Sequence, residues 1–490
     1  MRRENAIAVL CRGHDERHAV VAGLTMHLPE YAPVPEGECD AGCVSTLIDG
    51  TRATCELRLP MGRYVGEASW DPERHGVCFP ADTPEEQRRR CRWLVGLSLY
   101  RAVCDVRGHD SPWGGLSGVR PAKVAAYILR RGCGFQKTQQ LLCDVYLLHP
   151  DKAALCAEAA VEEMKIAAAL RPEDAALYVG IPFCPTVCGY CSFVSRRATP
   201  DALSGYCESL HSEISSLGRG LYNAGYRVRA LYIGGGTPTV LDADSLEALC
   251  SHMRASVDLS ACGEFTVEAG RPDTVTTEKL SVLKDAGVGR ICINPQTLSD
   301  DVLVGIGRRH TADDFRCAFR MARDMADWEI NCDLIAGLPG ETVDGYLSGL
   351  SEIISMLPEQ ITVHSLALKN ASRMTEEGQT LSDRLGRMLT DGEKLLRDAG
   401  YRPYYIYRQK FSEGGENVGW MKEHRINAYN ILMMEELCSV FAVGAGGVSK
   451  ILRSGGLDRM TNPKYPDEYC NRIGEIAERK RVLPKPYRGA

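Results

Sequence analysis

The sequence predicts an α/β protein: an open, partial barrel of six strand–helix units over residues 171–370, an N-terminal α+β domain over 1–170, and a smaller C-terminal domain over 371–490. Three observations lead there. Short β-branched runs alternate with helical patterns through the middle of the chain, and repeated strand–helix units imply a parallel sheet with right-handed crossovers. Six units are too few for a closed eight-stranded barrel. The polar and cysteine residues fall just after the runs, at the carboxyl ends where parallel α/β sheets bind ligands.

The elements follow in order. The first domain holds an apolar start at Ala6–Leu10, a β-meander through Thr51–Glu67 and helical patterns after Glu85. Its Trp113-Gly-Gly-Leu-Ser-Gly-Val-Arg-Pro stretch reads as a tight turn before a helix, because a lone glycine-rich turn is weak evidence for an anion cradle. Cys39 and Cys43 form an incidental pair. The middle domain's runs are Leu177–Ile181, Ala230–Ile233, Phe265–Val267, Arg290–Ile293, Ile330–Leu334 and Ile361–Val363. Helical patterns at Leu203–Leu217, Asp242–Val257, Thr276–Ala286, Ala312–Met325 and Val343–Met356 separate them. The last domain carries helices at Met388–Ala399 and Ile426–Cys438, a tyrosine-rich segment at Tyr401–Tyr407 and a glycine turn at Gly444–Gly447.

Composition excludes several classes. The chain has 490 residues, 44% hydrophobic and 25% charged, which is ordinary for a globular protein. A net charge of −6 supplies no basic surface for nucleic acid. The apolar stretch after Met1-Arg-Arg ends at Cys11, too short for a secretory signal, and no run approaches a membrane span. A cytoplasmic protein is expected. Its 21 cysteines are then mostly small buried hydrophobes, not disulfide partners.

One group differs. Gly180-Ile-Pro-Phe-Cys184-Pro-Thr-Val-Cys188-Gly-Tyr-Cys191 places three thiols within eight residues of one loop. Structural zinc wants four ligands, and the next cysteine, Cys207, lies inside a helical pattern. A redox pair of Cys188 and Cys191 leaves Cys184 unexplained. Three thiols and one open position suit a 4Fe–4S cluster with one iron free. That iron can chelate the amino and carboxylate groups of S-adenosylmethionine, and one electron then releases a 5′-deoxyadenosyl radical.

Tyr178-Val-Gly-Ile-Pro-Phe-Cys, Gly234-Gly-Gly-Thr-Pro-Thr and Asp333-Leu-Ile-Ala-Gly-Leu-Pro together resemble the oxygen-independent coproporphyrinogen III oxidases (dehydrogenases) of the radical S-adenosylmethionine superfamily. Tyr407-Arg-Gln-Lys, Asn417-Val-Gly and Gly444-Ala-Gly-Gly-Val-Ser-Lys resemble its HemZ-type branch. The resemblance implies a (β/α)6 partial barrel with Cys184, Cys188 and Cys191 as cluster ligands. It implies cofactor contacts at Tyr178, Tyr190, Gly235, Gly236, Thr237, Glu268, Gln296, Arg308, Asp333 and Ala367. The glycines let the backbone approach closely. Glu268 suits a ribose diol or an ammonium, Arg308 forks onto a carboxylate, and Asp333 accepts from ribose hydroxyls.

The implied reaction converts two propionates of coproporphyrinogen III to vinyls, giving protoporphyrinogen IX in heme biosynthesis. It also implies an electron donor such as flavodoxin or ferredoxin, and in the family a second S-adenosylmethionine. Arg308, Lys369, Arg373, Arg402, Arg408 and Lys410 are candidate cations for the propionates. The best-known branch has a fourth cysteine where this chain has Phe193, and the heme-chaperone branch lacks it too. The chaperone's His-Asn-x-x-Tyr-Trp marker is not met by His424-Arg-Ile-Asn-Ala-Tyr429-Asn430. Heme carriage, or anaerobic methylation or opening of heme, are the alternative functions.

Overall fold

The computed structural model describes residues 5–35, 41–80, 83–191, 195–366, 378–409 and 415–487. The chain divides into two compact units: residues 1–162, 365–386 and 405–418, and residues 163–364, 387–404 and 419–490.

The first unit carries strands β1 (Ala6–Arg12), β2 (Ala32–Val34), β3 (Cys43–Asp49), β4 (Arg52–Leu59) and β5 (Gly62–Ser69), in the order β2-β1-β3-β4-β5. β1 pairs in parallel with β2 and β3, and β3-β4-β5 form an antiparallel meander. Alternation along β4 puts Ala53, Cys55, Leu57 and Leu59 inside, against Val95 and Leu99 of the helix Pro84–Arg107. The Trp113 stretch is a turn before the helix Ala122–Leu129. Trp113 is buried, and Gly114 has φ +51 with the carbonyls of Tyr146 and Leu147 2.3 Å from where a Cβ would stand. Only glycine fits that turn.

The second unit is built on β6 (Asp174–Ile181), β7 (Phe183–Cys184), β8 (Arg196–Arg197), β9 (Arg227–Gly235), β10 (Glu264–Glu268), β11 (Arg290–Cys292), β12 (Glu329–Ala336) and β13 (Gln360–Ser365). β14 (Arg402–Arg408), β15 (Glu416–Met421), β16 (Ser439–Val443), β17 (Val448–Arg453) and β18 (Gly456–Thr461) follow. Its sheet runs β13-β12-β11-β10-β9-β6-β16-β17-β18, with Arg402–Tyr404 of β14 and Gly419–Met421 of β15 beyond β13. The pairs from β6 to β12 are parallel. Helices Pro200–Ala224, Ala243–Ser256, Thr277–Asp285, Ala312–Met325 and Val343–Ser355 cross between successive strands, as the sequence pattern predicts. On its other edge β6 pairs with β16, so the sheet does not close on itself, as a partial barrel requires.

The strands are nearly continuous apolar runs because both faces are covered; β6 reads buried at every position but Tyr178. At the amino ends the charges are closed off. Arg290 pairs with Glu264 at 2.7 Å and with Glu329, while Glu264 accepts from the N–H groups of Ala428 and Tyr429 at 2.7 and 2.9 Å. That carboxylate caps the start of the helix Ala428–Glu435. No helix among the described residues is long and apolar enough to cross a membrane.

Candidate active site

The cysteine loop begins where β6 ends. Phe183–Cys184 pairs in parallel with Arg196–Arg197, and the glycine turn after β9 backs it. Gly236 N donates to Ile181 O at 2.9 Å and Thr237 N to Phe183 O at 2.7 Å. A Cβ on Gly236 would stand 2.4 Å from Phe183 O, and Gly235 has φ +110, so the close approach requires glycine. The N–H groups of Gly236 and Thr237 are thus engaged inside the protein. Thr237 Oγ1 lies 3.5 Å from Cys184 Sγ.

The rest of the loop is held from below. Thr186 Oγ1 donates to Gly307 O and Gly189 N to Ile306 O, each at 3.1 Å. Cys191 N donates to Cys188 O at 3.1 Å, so Gly189 and Tyr190 turn tightly between two thiols. Cys184, Cys188 and Cys191 are all half-buried and not disulfide-bonded. Among the described residues, no three His, Cys, Asp or Glu side chains converge as they would on a single metal ion. Phe193 and Ala367 lie outside the described residues, as do Cys39, Lys369, Arg373 and Lys410.

Two carboxylates, Glu268 at the end of β10 and Asp333 within β12, have proton affinities shifted in opposite directions. Burial pushes Glu268 up from 4.5 to about 7, and nearby Asp333 adds to the rise. The Tyr232 hydroxyl donates to Glu268 at 2.5 Å and Gly235 N at 3.3 Å, which partly oppose it. Burial also pushes Asp333 upward, but His364, 3.6 Å away, and the Asn331 amide at 2.7 Å hold it below its ordinary value. Asn294 Nδ2 adds a bond at 2.9 Å. Paired acids with separated affinities are a mark of functional sites. Tyr178, Tyr232 and Tyr429 stack beside Glu268, with centroids 4.6 Å apart for the last two.

Gln296 and Arg308 close the other side. Gln296 is buried and has φ +68, a left-handed backbone that a non-glycine residue adopts at a cost. It is pinned there because its N–H donates to Asp333 O at 3.0 Å and its carbonyl accepts from Ile335 N at 2.9 Å. Arg308 is buried; Nη1 donates to the carbonyls of Asn294 and Gly270 at 2.9 and 3.2 Å, and Nη2 to the Tyr190 hydroxyl at 3.2 Å. Its Nε has no hydrogen-bond partner among the described residues. Burial pushes Tyr190 up to about 12 against the pull of Arg308.

The structure therefore gathers Tyr178, Tyr190, Gly235, Gly236, Thr237, Glu268, Gln296, Arg308 and Asp333 around the loop of Cys184, Cys188 and Cys191. Arg408 is a correction. It is fully buried in the first unit, where it donates to Leu116 O and lies 4.8 Å from the Trp113 ring centroid, so it is a core residue and no propionate partner. Arg402 is exposed. Sequence reasoning missed Arg271, Asn294, Asn331, Tyr232 and His364. Arg271 and Asn294 sit just past their strands, where the strand-end rule points; Tyr232 and Asn331 lie within strands and show only as polar breaks in apolar runs.

A parallel half-barrel with a three-thiol loop at its carboxyl ends defines a radical S-adenosylmethionine protein, and residues 178–347 match the Radical SAM superfamily model. The chain is 36% identical over 421 residues, 83% of its own length and 84% of the relative's, to the oxygen-independent coproporphyrinogen-III oxidase-like protein HemZ of Bacillus subtilis (strain 168). It is 26% identical over 317 residues to the heme chaperone HemW of Haemophilus influenzae, covering 63% of this chain and 78% of that one. The solved structure of coproporphyrinogen III oxidase (HemN) from Escherichia coli superposes with a TM-score of 0.51 at 21% identity, covering 65% of this chain and 73% of that chain; this likeness concerns the fold. The chain belongs to the oxygen-independent coproporphyrinogen III oxidase-like family of radical S-adenosylmethionine proteins, in its HemZ-type branch. The cofactors of this class are a 4Fe–4S cluster and S-adenosylmethionine.

Proposed function

We propose that this chain decarboxylates two propionates of coproporphyrinogen III oxidatively and without oxygen, yielding protoporphyrinogen IX for heme synthesis in the cytoplasm. The observation that carries the reading is the likeness to the HemZ protein across 84% of that relative's length, well beyond the matched radical core. Cys184, Cys188 and Cys191 would hold the cluster. A cluster spreads its thiolates over separate irons, so these ligands need not converge on one point. Reduced and loaded with S-adenosylmethionine, a cluster held there would supply a radical able to take one hydrogen atom from a propionate, which would then lose carbon dioxide and pass one electron to an external acceptor to become a vinyl.

The chain's own residues divide the remaining work. The carbonyl oxygens of the Gly235–Gly236 turn suit an ammonium, and Glu268, with acceptor capacity to spare, suits an ammonium or a ribose diol. Asp333, held ionised, accepts from hydroxyls. Arg308 brings one unused donor, Nε, to a carboxylate. Tyr178 and Tyr190 wall the site, and Gln296 braces the backbone of β12 at Asp333 and Ile335. A flavodoxin or ferredoxin is the electron donor in this reading, and the tetrapyrrole is the substrate.

The test uses protein purified without oxygen and reconstituted with iron and sulfide. With reductant, S-adenosylmethionine and coproporphyrinogen III, it should form 5′-deoxyadenosine, carbon dioxide and a divinyl product. Tight heme binding with no turnover of coproporphyrinogen III overturns the reading in favour of a chaperone. His424, the nearest match to the chaperone marker, is exposed on a turn. Cys184→Ala should abolish the cluster absorbance; persistence of that absorbance overturns the ligand assignment.

A further inference from the structure

We propose that Arg271 is a positioning residue that locks the stretch between the first two thiols and biases the charge at Cys188; this rests on the cluster reading above. Arg271 lies in the loop after β10 and is 2% exposed. One edge of its guanidinium is held by Asp273, through Nε at 3.0 Å and Nη2 at 3.3 Å. That two-point grip aims Nη1 at the cysteine loop. Nη1 donates to Thr186 Oγ1 at 3.0 Å and lies 3.5 Å from Thr186 O and 3.7 Å from Cys188 Sγ. The Thr186 hydroxyl gives its own hydrogen to Gly307 O, so it meets Arg271 as an acceptor.

The result is a chain of contacts, Asp273–Arg271–Thr186–Gly307, that ties two strand-end loops to the segment separating Cys184 from Cys188. Arg308 does not duplicate it, because its bond is to the Tyr190 hydroxyl nearer Cys191. The geometry has an electrostatic consequence as well. The cation touches the sulfur directly, whereas Asp273 grips the guanidinium's Nε and Nη2. The nearer charge dominates, and it favours the more negative, reduced state of a cluster bound at Cys188. A lysine would keep the charge but lose the fork.

The experiment uses full-length protein, reconstituted without oxygen and without substrate, as wild type, Arg271→Met and Arg271→Lys. Three quantities are read: iron and sulfide per chain, the rate of iron loss to a chelator, and the midpoint potential from a dithionite titration followed by electron paramagnetic resonance. Arg271→Met should lower the reduced-to-oxidised ratio at least tenfold at a fixed ambient potential, which is about 59 mV for one electron. Arg271→Lys should hold the wild-type potential but lose iron at least threefold faster. A methionine variant with the wild-type potential and chelation rate overturns the role. If that variant does not fold, a lysine variant with the wild-type chelation rate overturns it instead. A wild-type protein that takes up no cluster overturns the proposed function itself, an outcome distinct from either.

Discussion

Strand β6 has a glycine turn on each side, and a glutamate anchors each turn. On the β9 side, Gly235 N donates to Glu268 and a Cβ on Gly236 would collide with Phe183 O. On the β16 side, Gly444 N donates to Glu213 at 2.8 Å, and a Cβ on Gly444 would stand 2.3 Å from Gly180 O. The backbone logic is the same: a residue without Cβ lets two parallel strands finish close together. The carboxylates differ. Glu213 also accepts from Asn462 at 2.8 Å and the Tyr469 hydroxyl at 2.7 Å, and Lys480 lies 3.5 Å away, with neither charged side chain exposed. Glu268 has a tyrosine hydroxyl, one long amide bond and a second carboxylate nearby. A saturated anion is part of the scaffold; an unsaturated one at a strand end is free to meet a ligand.

That contrast can be broken by substitution. The largest effect is expected for Glu213→Gln, which strands Lys480 without its counter-charge in the core. It should cost about 3–5 kcal/mol in denaturant unfolding. Glu268→Gln should leave stability at neutral pH unchanged or raised while weakening S-adenosylmethionine binding, measured by calorimetry. Equal destabilisation by the two glutamines would erase the distinction.

Next come the glycines. Gly444→Ala should cost roughly 1–3 kcal/mol through overpacking against Gly180. Gly236→Ala should instead push on Phe183 and Cys184, and show as reduced iron uptake with a smaller loss in thermal midpoint.

The pH profile sharpens the comparison further. The folded protein binds a proton on Glu268 more tightly than the unfolded chain does. Its contribution to stability is therefore complete below about 4.5 and is lost as the pH rises through about 7. Glu268→Gln should flatten that part of the ligand-free profile. The smallest effect is expected for Tyr232→Phe, about 1 kcal/mol, together with a further rise in the Glu268 titration midpoint by NMR.

Most of the second unit's fold was legible in the sequence because each element announces itself locally. The run Ile330–Leu334 lies within β12, and Ala312–Met325 is a helix at those limits, with Thr311 and Asp314 forming its capping box. Strand ends were harder. Tyr232 and Asn331 read as interruptions in apolar runs, and only their partners, Glu268 on the adjacent strand and Asp333 two residues along the same one, make sense of them. The position of Arg271, three residues past Glu268, agrees with the strand-end rule, but nothing local tells that its guanidinium turns towards Cys188. Arg408 shows the reverse error: the sequence offers it as a cation for a propionate, and the structure buries it over Trp113.

The sequence by itself determined the three-thiol loop, the order of strands and helices, and the turns that only glycine can make, because spacing, periodicity and the missing Cβ act over a few residues. Only the tertiary structure decided which of two similar glutamates is saturated and which is left open, which arginine faces a thiol and which lies in a core. Those outcomes depend on partners such as Lys480, Asp333 and Thr186, brought from distant parts of the chain. Burial then sets how strongly each charge is felt.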